Sequence, residues 1–90
     1  MRMTVNKAIR LLRRRCGDTQ QTFATAAGMS LRAYVKYEQE QMPEPRALVR
    51  FMSFAIATRN FDLSEVFEKA LLRQLDVPPG WVIEIRLRKV

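Results

Sequence analysis

Residues 20–39 read QQTFATAAGMSLRAYVKYEQ, and this stretch decides the fold. Thr19 just before it and Ser30 within it are both helix-start types, because a short side-chain oxygen can accept a backbone N–H of the first turn. Gly28 sits where the chain has to turn, and glycine takes a positive φ without steric cost. The spacing predicts a helix of about two turns from Gln20 through Ala27 and another from Leu31 to Gln39. Joined only by Gly28-Met29-Ser30, the two cannot fold back as a long hairpin and have to cross steeply. Phe23, Ala27, Met29, Tyr34 and Tyr37 fall on inward faces, and the small Ala24 lets the second helix come close.

Upstream, Val5, Ala8, Ile9, Leu12 and Cys16 recur at helical spacing from Thr4 to Cys16, with Arg10, Arg13, Arg14 and Arg15 off that face. Thr4 is the expected N-cap and Gly17 the expected end. Downstream, 41–45 (Gln41-Met42-Pro43-Glu44-Pro45) reads as a loop, since each proline removes a donor and biases its predecessor toward extended conformations. A fourth helix is expected from Arg46 to Arg59, with Leu48, Phe51, Met52, Ala55 and Ile56 on one stripe. Val49, Phe54 and Ala57 place apolar groups on its other faces, so it seeks burial on more than one side. Asn60 is the expected left-handed cap of that helix. Asp62 with Glu65 forms an acidic variant of the capping box for a fifth helix over Leu63–Leu75.

After Asp76-Val77-Pro78-Pro79-Gly80 the period changes to two: Trp81, Ile83, Ile85 and Leu87 alternate with Val82, Glu84, Arg86 and Arg88, which predicts one strand. A lone strand leaves backbone groups unpaired, so its expected partner is the same strand of a second copy about a two-fold axis. The expected organisation is all-α: a five-helix domain over 1–76 and a short C-terminal strand used in dimerisation over 77–90.

The chain has 90 residues with 16 Lys or Arg and 9 Asp or Glu, a net charge of +7. That balance points to a polyanionic partner, foremost a nucleic acid. One cysteine and no histidine exclude a disulfide framework within the chain, a Cys/His zinc site and any imidazole-based triad. Glu38, Glu40 and Glu44 cluster, but no second structural layer is available to desolvate them as acid or base. We therefore expect no enzyme, no cofactor and no metal. No apolar run follows Met1-Arg2, so the expectation is no signal peptide, no membrane partner and a reducing bacterial cytoplasm. The aromatics Phe23, Tyr34, Phe51, Phe54 and Phe67 keep core spacing and do not form a base-stacking platform; Cys16 reads as a small hydrophobe.

With these residues in place, the chain resembles the Xre-like helix-turn-helix family of phage repressors, Cro proteins and bacterial regulators. The matching positions are Ile9-Arg10, Leu12-Arg13, Gly17, Thr19-Gln20, Phe23-Ala24, Gly28-Met29-Ser30, Tyr34, Tyr37-Glu38, Phe61-Asp62-Leu63 and Glu65-Val66-Phe67, in register over Val5–Leu72. The resemblance implies a five-helix repressor-like domain in which Ser30, Leu31, Arg32, Val35 and Lys36 lie on the major-groove face of helix three and Gln20 lies near a phosphate. It also implies a structural salt bridge between Arg13 and Glu38. The sequence departs from the family at Asp18, where an apolar residue is usual and which would share the cap of the second helix with Thr19. It departs again at Glu40, where a capping glycine is common, and in the strand after Pro79.

The expected function is that of a homodimeric, sequence-specific DNA-binding transcriptional regulator of phage, plasmid or bacterial origin, acting as a repressor on an inverted repeat. Arg32 would donate to O6 and N7 of a guanine, Leu31 or Val35 would meet a thymine methyl, and Lys36 would reach a base edge or phosphate. Arg10, Arg14, Arg15 and Gln20 would position the protein on the backbone. The expected dimer surface combines Trp81, Ile83, Ile85 and Leu87 with Phe54 and the surplus apolar face of helices four and five. The alternatives are an antitoxin whose C-terminal strand contacts a toxin, a restriction-modification controller, and a protein-interaction module that no longer binds DNA.

Overall fold

The computed structural model describes residues 3–76, and all of its regular structure is helical. The helices are α1 (Val5–Cys16), α2 (Gln20–Ala26), α3 (Leu31–Gln39), α4 (Pro45–Ala57) and α5 (Phe61–Gln74). The expected strand and its dimerisation residues Trp81, Ile83, Ile85 and Leu87 lie outside the described residues.

Local chemistry sets most of these boundaries. Thr4, Thr19 and Ser30 each accept a backbone N–H of their helix's first turn, from Lys7, Thr22 and Ala33, at 3.1–3.2 Å. Thr19 makes the cap hydrogen bond of α2; Asp18 contributes its backbone carbonyl instead, as an acceptor for Arg13 Nη1 at 3.2 Å. α1 closes with Gly17 at φ 71°, its N–H on Arg14 O and that of Asp18 on Arg13 O. This is the pairing that satisfies the last carbonyls of a helix through one left-handed residue. The same pairing recurs after α2, where Gly28 at φ 72° donates to Thr25 O and Met29 donates to Ala24 O.

α2 and α5 each end one residue earlier than expected, at Ala26 and Gln74, and both ends of α4 and the start of α5 also differ from expectation. α4 begins at Pro45, not Arg46, because a proline with fixed φ and no N–H suits the first helical position. At its other end Arg59, not Asn60, takes the left-handed conformation, at φ 60°. Asn60 N then donates to Ala55 O at 2.7 Å and Arg59 N to Ile56 O at 3.0 Å. Asn60 is thereby placed to start α5 two residues earlier than expected, its carbonyl accepting from Leu63 N and Ser64 N. Asp62 is in the first turn of α5, where its charge suits the positive helix end, and it does not act as the cap.

α3 ends without a glycine, at Glu40 with φ −151°. Its last carbonyls are served from α1: Asn6 Nδ2 donates to Tyr37 O at 2.7 Å and to Gln41 O at 3.2 Å, and Arg10 Nη2 donates to Glu38 O at 2.8 Å. The departure at Glu40 is thus compensated by two side chains from another helix, one of them a cation at the negative end of the α3 dipole.

The core joins all five helices through Ile9 and Leu12, Phe23, Tyr34, Leu48 and Phe51, Leu63 and Phe67. Phe51 of α4 is its centre, with ring centroids 6.3 Å from Phe23, Tyr34 and Tyr37 and 5.8 Å from Phe67. Phe54 is half-buried, with one edge against Phe23 at 5.0 Å. α1 packs on α3 and α5, α2 on α3, and α4 on α5, and among the described residues the outer side of α3 stays exposed at Leu31, Arg32 and Lys36.

Candidate nucleic-acid interface

α3 divides its residues sharply. Tyr34, Tyr37 and Glu38 are buried, whereas Leu31, Arg32 and Lys36 are exposed and Val35 is half-buried. Advancing 100° per residue, Leu31, Val35, Arg32 and Lys36 occupy a continuous arc of roughly 140°, and the buried residues lie outside it. Ser30 stands at the N-terminal edge of this face, its Oγ engaged with Ala33 N at 3.2 Å. Ser30, Arg32, Lys36 and Gln41 border an open hollow of about 200 Å³.

The inward side of α3 is held by one carboxylate. Glu38 receives Arg13 Nε at 2.6 Å and Nη2 at 3.3 Å, Gln20 Nε2 at 3.1 Å, and the Tyr34 hydroxyl. α1, α2 and α3 therefore meet on it. Burial pushes the Glu38 carboxyl up, but the hydrogen bonds from Arg13, Tyr34 and Gln20 outweigh this and hold it below the usual glutamate value. The Tyr34 hydroxyl is pushed strongly upward by burial and by the hydrogen bond to the carboxylate, so it stays a donor at neutral pH.

The turn between α2 and α3 is held from outside. Arg50 of α4 donates through Nη1 to Gly28 O at 2.7 Å and Ala27 O at 3.3 Å. The α2–turn–α3 unit is thus tied to α1 through Glu38 and to α4 through Arg50, and the exposed face of α3 is carried by a fixed scaffold.

The side chains expected on DNA, whether at the backbone or at the bases, separate into two groups. Arg10 lies on the Glu38 carbonyl, and Arg15 forms a two-pronged pair with Asp62 at 2.9 and 3.0 Å while also donating to Asn60 Oδ1 at 3.1 Å. The hydrogen bond from Arg15 holds the Asp62 carboxyl below its usual value. Gln20 uses its amide on Glu38. Arg14, Arg32 and Lys36, in contrast, are exposed and have no side-chain hydrogen bond or ion pair among the described residues. The roles of Asn6 and Arg50 carry no local sequence signal, because their partners lie 22 to 35 positions away.

The described residues hold no group of three His, Cys, Asp or Glu side chains placed to bind a metal, and no described helix is long and apolar enough to cross a membrane. Cys16 is half-buried and burial raises its thiol pKa, which disfavours the reactive thiolate. No protein-family model, curated protein or solved structure matches the chain.

Proposed function

We propose that the chain is a sequence-specific, double-stranded DNA-binding transcriptional regulator that reads the major groove with α3 as a homodimer in the bacterial cytoplasm. The observation that carries this reading is the outward face of α3, where Arg32 and Lys36 are exposed, one helical turn apart and free of side-chain partners among the described residues. A helix of this width enters the major groove of B-form DNA, where a guanidinium matches O6 and N7 of guanine. Leu31 and Val35 beside them supply apolar groups for thymine methyls. Arg14, also free, is the backbone contact of choice on α1.

One such helix reads only a few base pairs, and a second copy doubles the site. The contact between copies falls on the outer side of α4, where Val49 and Ile56 are 41% and 49% exposed. Apolar surface of this kind on a domain with a complete core marks an association site. Two recognition helices about 34 Å apart would meet an inverted repeat with half-sites one turn apart.

Selection from random double-stranded DNA with the full chain tests the reading. Enrichment of an inverted repeat, lost in the double variant Arg32→Ala/Lys36→Ala, is the expected result. Failure to enrich any sequence at low salt would overturn it in favour of a protein-interaction module.

A further inference from the structure

Between α2 and α3 the chain passes through the peptide that joins Gly28 to Met29. A peptide unit is planar, so holding both of its polar atoms fixes its orientation. Its N–H, from Met29, donates to Ala24 O of α2 at 3.0 Å. Its C=O, from Gly28, accepts from Arg50 Nη1 of α4 at 2.7 Å, and the same nitrogen donates to Ala27 O at 3.3 Å. Among the described residues no other side chain of α4 hydrogen-bonds to α2, the turn or α3.

Beyond this peptide little freedom remains before α3. Met29 is half-buried against the core, and Ser30 is held at the start of α3 by Ala33 N on its Oγ at 3.2 Å and Tyr34 N on its carbonyl at 3.0 Å. Leu31 and Arg32 follow at once. Their direction is therefore set by how the peptide between Gly28 and Met29 lies, and one of its two anchors is a side chain from a helix that packs on α5.

We infer that Arg50 is a positioning residue for base recognition: by anchoring this peptide from α4 it aims the start of α3, and so sets how well one DNA sequence is told from another, without touching DNA itself. The inference rests on the reading of α3 as a DNA-recognition helix. Two kinds of contact respond differently to a loosened turn. The paired donors of Arg32 have to meet O6 and N7 of one guanine together, so they tolerate a misplacement of only about 0.5 Å. Arg14 meets a phosphate as a charge on a flexible stem, from a helix that the turn does not carry. Loosening the turn therefore lowers discrimination and leaves the general affinity for DNA in place.

The test compares the parent chain with Arg50→Met, which keeps an unbranched stem but neither donor nor charge, and with Arg50→Lys, which keeps one donor on a shorter reach. Affinities for the selected site and for random duplex are measured at several salt concentrations, at a temperature where circular dichroism shows each protein fully folded. Arg50→Met should lower the ratio of the two affinities about tenfold, the order of one bidentate base contact. The affinity for random duplex and its salt slope should not change, and Arg50→Lys should restore most of the ratio. Val66→Ala, at a half-buried position of α5 outside the turn and α4, lowers stability and should leave the ratio as in the parent. An Arg50→Met protein with the ratio of the parent overturns the inference. So does an equal loss in Val66→Ala, which reduces Arg50 to general stability. A salt slope lower by about 1 on every sequence also overturns it and makes Arg50 a phosphate contact. A parent that prefers no sequence overturns the reading of α3, and the inference with it.

Discussion

Arg50 of α4 donates to the carbonyl of Gly28 at 2.7 Å, and a Cβ added at Gly28 would stand 2.9 Å from the same Nη1. The turn that aims α3 is therefore fitted to an arginine on a different helix. Gly28→Ala pays the left-handed penalty of about 1–2 kcal/mol and displaces the guanidinium. Arg50→Ala removes the hydrogen bond outright. The displaced bond is counted in both variants, so the double variant should be less destabilised than the sum of the singles by about 0.5–1 kcal/mol. Urea melts of the four proteins measure this, and strict additivity would mean that Arg50 does not hold the turn.

The second prediction concerns acid. The Glu38 carboxyl titrates below its usual value because its hydrogen bonds outweigh its burial, so the unfolded chain takes up its proton more readily than the folded one. The stability this provides is complete above the unfolded value of about 4.3 and is lost as the pH falls through the lower, folded value. Glu38→Gln should flatten the acid side of the stability profile. At neutral pH it should cost about 3 kcal/mol, at the low end for breaking a buried pair, since Arg13 keeps 17% side-chain exposure and some access to water. Denaturant melts from about pH 3 to 7 check both; an acid limb as steep as that of the parent would show that another group dominates.

Asn6 offers a third test, of how α3 manages without a terminal glycine. Its amide spans the carbonyls of Tyr37 and Gln41. Asn6→Ala leaves a part-buried carbonyl without a donor and should cost about 1–2 kcal/mol. The loss should be local: amide exchange at Glu40 and Gln41 should quicken more than exchange at Leu12. Uniform quickening would assign Asn6 to global stability and not to the end of α3.

Arg59 at φ 60° carries a side chain in a conformation that glycine adopts freely. The strain of roughly 1–2 kcal/mol exceeds the extra chain entropy of glycine, roughly 0.5–1 kcal/mol. Arg59→Gly should therefore stabilise the protein by about 0.5–1 kcal/mol, read as a higher melting temperature. Arg59→Ala retains the strain and should not.

The elements that sequence made legible are those whose causes are local. Thr4, Thr19 and Ser30 cap within three residues of themselves, and Gly17 and Gly28 turn the chain where they stand. The end of α4 differs from its sequence expectation because its position depends on how Ala55 is held in the core, so the left-handed site falls on Arg59 although Asn60 is the better residue for it. Spacing likewise placed Asp62 in a capping box, whereas it meets Arg15 from across 47 positions. The pairing of Arg13 with Glu38 was accessible only through the family resemblance, since periodicity says which face a charge occupies and not what it touches. Arg32 and Lys36 were legible as outward because spacing sets them off the face that Tyr34 and Tyr37 share, whereas Ser30, Leu31 and Val35 were accessible only through the resemblance.

That distinction between occupied and free cations gives the last prediction. The slope of log affinity against log salt counts the phosphates a protein neutralises, because each contact releases condensed counterions. Arg14→Ala removes a free cation and should lower the slope by about 1, with similar losses on all sequences. Arg32→Ala should cost about 1–3 kcal/mol and relax the preference at a single base pair. Arg15→Ala removes a guanidinium already neutralised by Asp62 and should leave the slope near that of the parent. Titrations of the selected site at several salt concentrations separate the three. If Arg15→Ala lowers the slope as much as Arg14→Ala, the Arg15–Asp62 pair opens on DNA and the backbone contact extends along α1 beyond the cations that are free in the isolated chain.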